Sequence, residues 1–251
     1  MDTQNVLDGI VYSEILNKLD VCHGFSTKAL GNMSYDRSQQ GKASQNQEKF
    51  FSQLGIDLKN SALLMPPVKH SPNVALVQKL SNKTGRIILN KQSPEIIIIE
   101  AEKDQPGIDA CLSHTPNTFL GILPADCAPI MFFEPITRFF GLIHAGSSGL
   151  AKGIIEKTFT CLKKNCNIRP DQIYCYIGPC ICQECYNHKI NLRNLIADKL
   201  LKLGLPLDQL EISEFCTAHH DQLFFSHHRA KQTGCEQTEG RNMALIGLKQ
   251  E

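Results

Sequence analysis

His70, Cys127 and His144 share one kind of setting in the chain. Each lies where an apolar run meets a bend, in VKHSP, PADCAP and LIHAG, with proline or glycine close by. Strand ends of this kind allow a rigid scaffold to aim side chains into a common pocket. Two imidazoles and one thiolate make three ligands for a tetrahedral zinc ion and leave a fourth position for water or substrate. Zinc holds such a thiol deprotonated. The assembled site carries about one positive charge by formal count, which suits an anionic co-substrate or a bound hydroxide. The same donors also suit a single copper ion. The three residues lie far apart along the chain, so their spacing is no metal signature. A cysteine among apolar neighbours is otherwise a small inert hydrophobe, and a histidine at a strand end is otherwise simply hydrogen-bonded.

Other residues carry chemistry less specifically. Six cysteines fall between Cys161 and Cys185, including CICQEC at 180–185. That run fits part of a structural zinc or iron–sulfur set, but paired CxxC knuckles with a consistent gap are not evident. His219-His220 and His227-His228 are adjacent pairs; on strands, each pair offers only one ring to a given site. Asp126, beside Cys127, is placed either to orient a ligand histidine or to cap a backbone, and Asp109 and His114 invite the same two readings. There are nine histidines and no His-x-His, the pairing expected where four coppers must be held. Neither a Walker-type loop nor a dinucleotide Gly-x-Gly-x-x-Gly is present.

The elements that must position these groups follow from pattern. VCHGFSTK (21–28) reads as a short strand. The polar stretch SYDRSQQGKASQNQ reads as a loop, and EKFFSQLG as a short helix ending at Gly55. Residues 63–78 read as two extended pieces around a proline-rich bend, and PEIIIIEAE (94–102) as a strand buried on both faces. Residues 118–146 read as strand, bend, strand, turn, strand. GLAKGIIEKTFTCLKKNC (149–166) has helical spacing with lysines in its last turns. A strand at DQIYCYIGPCI precedes a helix at NLRNLIADKLLKLGL that stops at Gly204. ISEFCT, DQLFFSHHR and RNMALIGLK read as further strands. Strands come in consecutive groups and outnumber helices. The pattern therefore predicts an α+β protein with a mixed sheet, a single domain over 1–251.

Composition bounds the partners. The chain has 251 residues, 42% hydrophobic, and a formal net charge of +1. Without a lysine–arginine block there is no electrostatic basis for non-specific nucleic-acid binding. No apolar run approaches the ~20 residues that span a bilayer, and no export signal opens the chain. A cytoplasmic protein is expected, monomeric or weakly dimeric. Its eleven cysteines then read as thiols and metal ligands, not as a disulfide framework.

Several motifs together resemble one family. ADCAPIMF (125–132), FFGLIHAGSSG (139–149), HGFSTK (23–28), YIGPCICQECYNH and FFSHHR with EGR (239–241) look like the motifs of the laccase-domain, or YfiH-type, family, in that family's order. They span about residues 21–248. The resemblance implies stacked mixed sheets flanked by helices, in four α/β/β/α layers. It also implies a mononuclear zinc site on His70, Cys127 and His144, and phosphorolysis of purine nucleosides such as adenosine, inosine and methylthioadenosine, with adenosine deamination as a further activity. The family's older association is with copper-dependent oxidation of polyphenols. The small residues after His144 would let the next helix begin close to a bound phosphate. Lys28, Ser147, Ser148, Ser226 and Arg229 fall where substrate and phosphate contacts are expected. Two departures stand out. Ser147 and Ser148 occupy the place of the family's Trp and Arg, and Lys28 that of an Arg. An arginine is a planar bidentate anion clamp that neither serine nor lysine reproduces. A metal-binding relative with weakened catalysis is therefore the second reading.

Overall fold

A computed structural model describes residues 6–34, 40–77, 85–88, 96–100, 107–234 and 239–250. In chain order the elements begin with β1 (Val6–Leu7), β2 (Ile10–Val11), α1 (Glu14–Asn17), β3 (Cys22–Ser26) and α2 (Gln40–Gln53). Next come β4 (Ala62–Met65), β5 (Val74–Val77), β6 (Gly85–Ile88), β7 (Ile96–Glu100), β8 (Ala110–Ser113) and β9 (Thr118–Ile122). β10 (Ala128–Glu134), β11 (Phe139–Ala145), α3 (Ser147–Ala151), α4 (Ile154–Cys166) and β12 (Tyr174–Ile177) follow. α5 (Leu192–Lys202), β13 (Leu210–Ile212), α6 (His227–Thr233) and β14 (Ala244–Leu248) complete the chain.

The strands form two seven-stranded mixed sheets, ordered β1-β2-β3-β14-β9-β4-β6 and β13-β12-β10-β11-β8-β5-β7. Side chains alternate across each strand, and the alternation decides the layers. On β10, Ile130 and Phe132 join Ile154, Phe159, Leu162 and Ile196 of the helices on one side. Met131 and Phe133, one residue out of phase, meet Leu120, Ile122, Ala244 and Ile246 of the other sheet. The outer face of that first sheet is closed by Phe50, Phe51 and Leu54 of α2, packed on Leu63, Phe119 and Leu245. The order is helix, sheet, sheet, helix, as the family resemblance implied.

Four local readings are corrected. The polar loop before EKFFSQLG ends earlier than expected, because α2 already begins at Gln40. The helix over 149–166 is two helices, broken where Gly153 adopts a left-handed φ of 78°. ISEFCT contributes only Ile212 to β13, and beyond it just an isolated bridge from Cys216 to Cys180. DQLFFSHHR is no strand: Ser226 is extended, its hydroxyl accepts from the Arg229 amide, and α6 starts at His227. An N-cap serine outweighs the strand preference of the phenylalanines before it. The isoleucine run reads correctly as a strand, though β7 lies at the edge of its sheet, and its side-chain burial lies outside the described residues.

His23 shows what a histidine does when it is structure alone. It is 2% exposed on β3, accepts from the Ser13 amide at Nε2 (3.0 Å) and meets the Val21 carbonyl at Nδ1 (3.3 Å). Burial, against those two backbone contacts, pushes its pKa down to about 4. The folded protein therefore holds this ring neutral, while the unfolded chain protonates it near pH 6.5. Protons bind preferentially to the unfolded chain between these values, so stability should fall as the pH drops from about 6.5 to 4, by about 3 kcal/mol for this group. Urea melts across that range, compared with a His23→Gln variant whose pH dependence is flatter, check the assignment. Parallel curves would refute it.

Candidate metal centre

One edge of the second sheet gathers the three residues. β10 and β11 are antiparallel with Ala128 opposite Ala145, so Cys127, one step before β10, arrives beside the end of β11 that carries His144. β8 pairs with β11 through Ala110 and Ile143, and β5 runs parallel to β8. The starts of β5, β8 and β10 and the end of β11 thus share one rim. One ligand atom from each of His70, Cys127 and His144 lies within 4.8 Å of the others. Cys127 Sγ is 3.6 Å from His70 Nε2, and the two imidazole centres are 5.0 Å apart.

Asp109, 1% exposed at the start of β8, organises the set. Its carboxylate accepts from the amides of Lys69 (3.0 Å), His70 (2.9 Å) and Ser71 (2.7 Å), and from the Ser71 hydroxyl (2.7 Å). It also meets His144 Nδ1 at 2.8 Å, which turns Nε2 towards the sulfur. The same amide bonds hold His70 in a left-handed conformation, φ 55°, that a β-branched residue would resist. The carboxylate behind His144 is therefore Asp109. Asp126 takes the other of its two readings: buried, with φ 88°, it accepts from the His228 amide (2.8 Å), His228 Nδ1 (3.0 Å) and the Thr217 hydroxyl (2.7 Å). Both carboxyls are held below their ordinary range despite burial, Asp109 first by His144 and Asp126 first by His228.

Charge in the cluster follows the same contacts. Burial alone would raise the Cys127 thiol, but the adjoining His144 and His70 bring it down to about 6. Burial alone would lower His144, but Asp109 and the Cys127 sulfur carry it up to about 9. Without a cation the triad thus favours a thiolate against an imidazolium, a polarised arrangement into which a metal ion fits. Room for it is kept by Gly146: a Cβ there would fall 2.8 Å from Cys127 Sγ and 2.9 Å from His70 Cδ2. This is the reason for the bare backbone after His144. The helix that follows, α3, has only five residues, so its dipole is minor beside that clearance.

The expected substrate contacts divide into two groups. Ser147 is half-buried at the start of α3, where its hydroxyl accepts from Tyr186 at 2.8 Å; Ser148 beside it is exposed. The Tyr186 ring stands 5.0 Å from that of His228, which ties this group back to Asp126 and so to Cys127. Lys28 and Arg229 form the other group. Lys28 Nζ donates to the Asp221 carbonyl (2.6 Å) and lies 5.3 Å from the centre of the Phe225 ring. Arg229 donates to the carbonyls of Thr217, Ala218 and Phe224, and Ser226 is fully buried as the cap of α6. In this arrangement Arg229 and Ser226 hold the 217–226 segment in shape. His114 lies against Phe139 instead, with ring centres 4.6 Å apart. Sequence reasoning did not single out Tyr186 or Lys152. Lys152 Nζ donates to the His70 carbonyl at 3.1 Å, and no motif announces it.

No helix among the described residues is long and apolar enough to cross a membrane. A family model described as multi-copper polyphenol oxidoreductase laccase matches residues 22–189 and 187–249. A purine nucleoside phosphorylase YlmD of Geobacillus stearothermophilus is 30% identical over 58% of this chain and 62% of its own length. A purine nucleoside phosphorylase YfiH of Escherichia coli is 26% identical over 50% of this chain and 60% of its own. The aligned stretch thus spans about three fifths of those relatives. The crystal structure of YlmD from Geobacillus stearothermophilus superposes with a TM-score of 0.77 over 96% of this chain and 97% of that one, at 22% identity. That of a Bacillus licheniformis hypothetical protein YfiH gives 0.76 over 97% of each, also at 22%. These two likenesses establish the fold.

Proposed function

The chain belongs to the multi-copper polyphenol oxidoreductase laccase family, and from that premise we propose that it cleaves purine nucleosides with inorganic phosphate at the His70–Cys127–His144 centre. The observation that carries the reading is the convergence of these three donors around a space that Gly146 keeps open. The names of the relatives, purine nucleoside phosphorylases, support the reaction class. Zinc held by the three residues supplies a positive, Lewis-acidic centre for an anionic or hydroxyl oxygen.

The chain's own groups supply position and charge. Asp109 fixes His144 and the backbone at His70, so the donor set is built before substrate arrives. Lys152 adds a positive charge beside His70, which favours an incoming phosphate. Tyr186 and His228 place two rings beside the centre, each oriented by a hydrogen bond, to Ser147 and to Asp126. In the reaction a phosphate oxygen forms a bond to C1′ while the C1′–N9 bond breaks. The electron pair stays on N9, which takes a proton, and the products are free base and ribose 1-phosphate. The absent Trp-Arg pair after His144 removes a bidentate phosphate clamp, so weak phosphate binding is part of the proposal. Deamination of adenosine, in which a water oxygen bonds to C6 as the C6–amino bond breaks and ammonia leaves, is a further activity that the same donor set suits.

The test is incubation of metal-analysed protein with inosine, adenosine and methylthioadenosine, with and without phosphate, and chromatography of the products. Hypoxanthine from inosine only when phosphate is present is the expected result. Intact nucleosides in front of a fully zinc-loaded protein would reject the reading. An arm with added copper and a phenol separates the oxidase alternative, which must exceed the rate of free copper alone.

A further inference from the structure

A second group of metal-type donors lies outside the triad. Cys182, Cys185, Cys216 and His219 each bring one ligand atom within 4.8 Å of the others. In sequence they form two pairs of equal spacing, Cys182-x-x-Cys185 and Cys216-x-x-His219. Two such knuckles on separate loops are the form of a closed Cys3His structural site. Thiolates ~2.3 Å from one zinc ion stand about 3.8 Å apart along the edges of a tetrahedron, so the observed crowding is that of ligands to one ion. A two-iron cluster spreads its thiolates over two metals and sets them further apart.

The local backbone is arranged as such a site requires. The amides of Cys182 (3.2 Å) and His219 (3.4 Å) both donate to Cys216 Sγ, so the two loops are already joined at this sulfur. His219 Nδ1 lies 3.5 Å from Cys182 Sγ. Cys216 is 3% exposed, Cys182 and Cys185 are half-buried and His219 is at the surface. The loops meet at the Cys180–Cys216 bridge, and Arg193 donates to the carbonyls of both Cys180 and Phe215. A simple dithiol switch between Cys182 and Cys185 needs neither Cys216 nor His219 within the same radius.

We propose that Cys182, Cys185, Cys216 and His219 bind one structural zinc ion that clips residues 178–191 to residues 213–226. Both segments connect regular elements without α-helix or paired strand of their own, and connections of that length need a reason to stay ordered. The first carries Tyr186, whose hydroxyl holds Ser147; the second carries Thr217, whose hydroxyl holds Asp126 next to Cys127. The clip therefore stiffens the loops beside the triad while its four protein ligands leave no position for substrate.

The test begins with the full chain carrying Cys127→Ser and His144→Ala, so that the triad no longer contributes. Purified without chelator, it should retain about one zinc ion per chain. Adding Cys182→Ser and Cys185→Ser should remove that ion. His219→Ala should release it, whereas His219→Cys should keep it as a four-cysteine site; this comparison separates a lost ligand from a lost fold. Cobalt in the retained site should show a thiolate charge-transfer band about three times that of a one-thiolate site. A triad-less chain without zinc, or zinc content indifferent to Cys182 and Cys185, would overturn the proposal. Neither result depends on whether nucleosides are substrates.

Discussion

Cys127→Ala is expected to abolish zinc binding at the triad and to lower kcat/KM for phosphorolysis by at least about 10³-fold, roughly 4 kcal/mol of transition-state stabilisation. Cys127 is the single anionic donor among three, so its loss removes the charge that pairs with the cation as well as one bond. The remaining imidazoles, His70 and His144, cannot close a tetrahedral set, and His70 is exposed to competing water. The fold should survive, because Cys127 precedes β10 instead of lying within it. Metal analysis, nucleoside turnover and a thermal melt on the same preparation read all three outcomes. Turnover left intact in a variant without triad zinc would mean that the reaction takes place elsewhere, and the metal would revert to a structural or adventitious role.

How far this could be foreseen differs from residue to residue. The layers were legible, because the unbroken apolar run at 128–133 marks a strand covered on both sides and helical spacing on 154–162 reports which face of the helix is buried. The three triad residues were legible as strand-end oddities, and the resemblance to a known family added the pairing. What sequence could not supply was the sheet order. β5, β8, β10 and β11 become neighbours only through pairings between segments far apart in the chain, and Asp109 acquires its partners on Lys69, His70, Ser71 and His144 by that route alone. Asp126, adjacent to Cys127, was the more obvious carboxylate for the role. α6 was missed because Phe224 and Phe225 read as strand while the decisive residue, Ser226, acts through one hydroxyl. The Cys3His group was missed for a related reason. Attention to the dense run at 180–185 left out Cys216 and His219, which the topology brings back beside it.

Asp109→Asn tests how much of the centre depends on that buried carboxylate. The substitution keeps shape and removes charge, but it also turns one acceptor into a donor. One oxygen now accepts from Lys69, from Ser71 through both amide and hydroxyl; the other accepts from His70 and meets His144 Nδ1. Whichever way the new amide turns, its NH2 faces the Lys69 and Ser71 amides, which only donate, or faces the His70 amide and His144 and forces the other tautomer. In the first orientation buried amides lose their acceptor, a cost of about 1–3 kcal/mol for each uncompensated group. In the second, Nδ1 must accept, so Nε2 carries the proton and no longer offers its lone pair to a metal. Both orientations damage the triad, by different routes. The expected result is a loss of about 10–100-fold in zinc affinity at the triad, together with destabilisation of about 2–4 kcal/mol. Competition with a metal-sensitive dye measures the first and urea unfolding the second. The acid limb adds a separate check. Asp109 is held below the ordinary carboxylate range, so the wild-type protein keeps this contribution above about pH 3.8 and loses it as the pH falls through the lowered folded value. The asparagine variant has no such proton to bind and should show a shallower acid decline. Unchanged zinc affinity with a wild-type acid limb would remove Asp109 from its place behind His144.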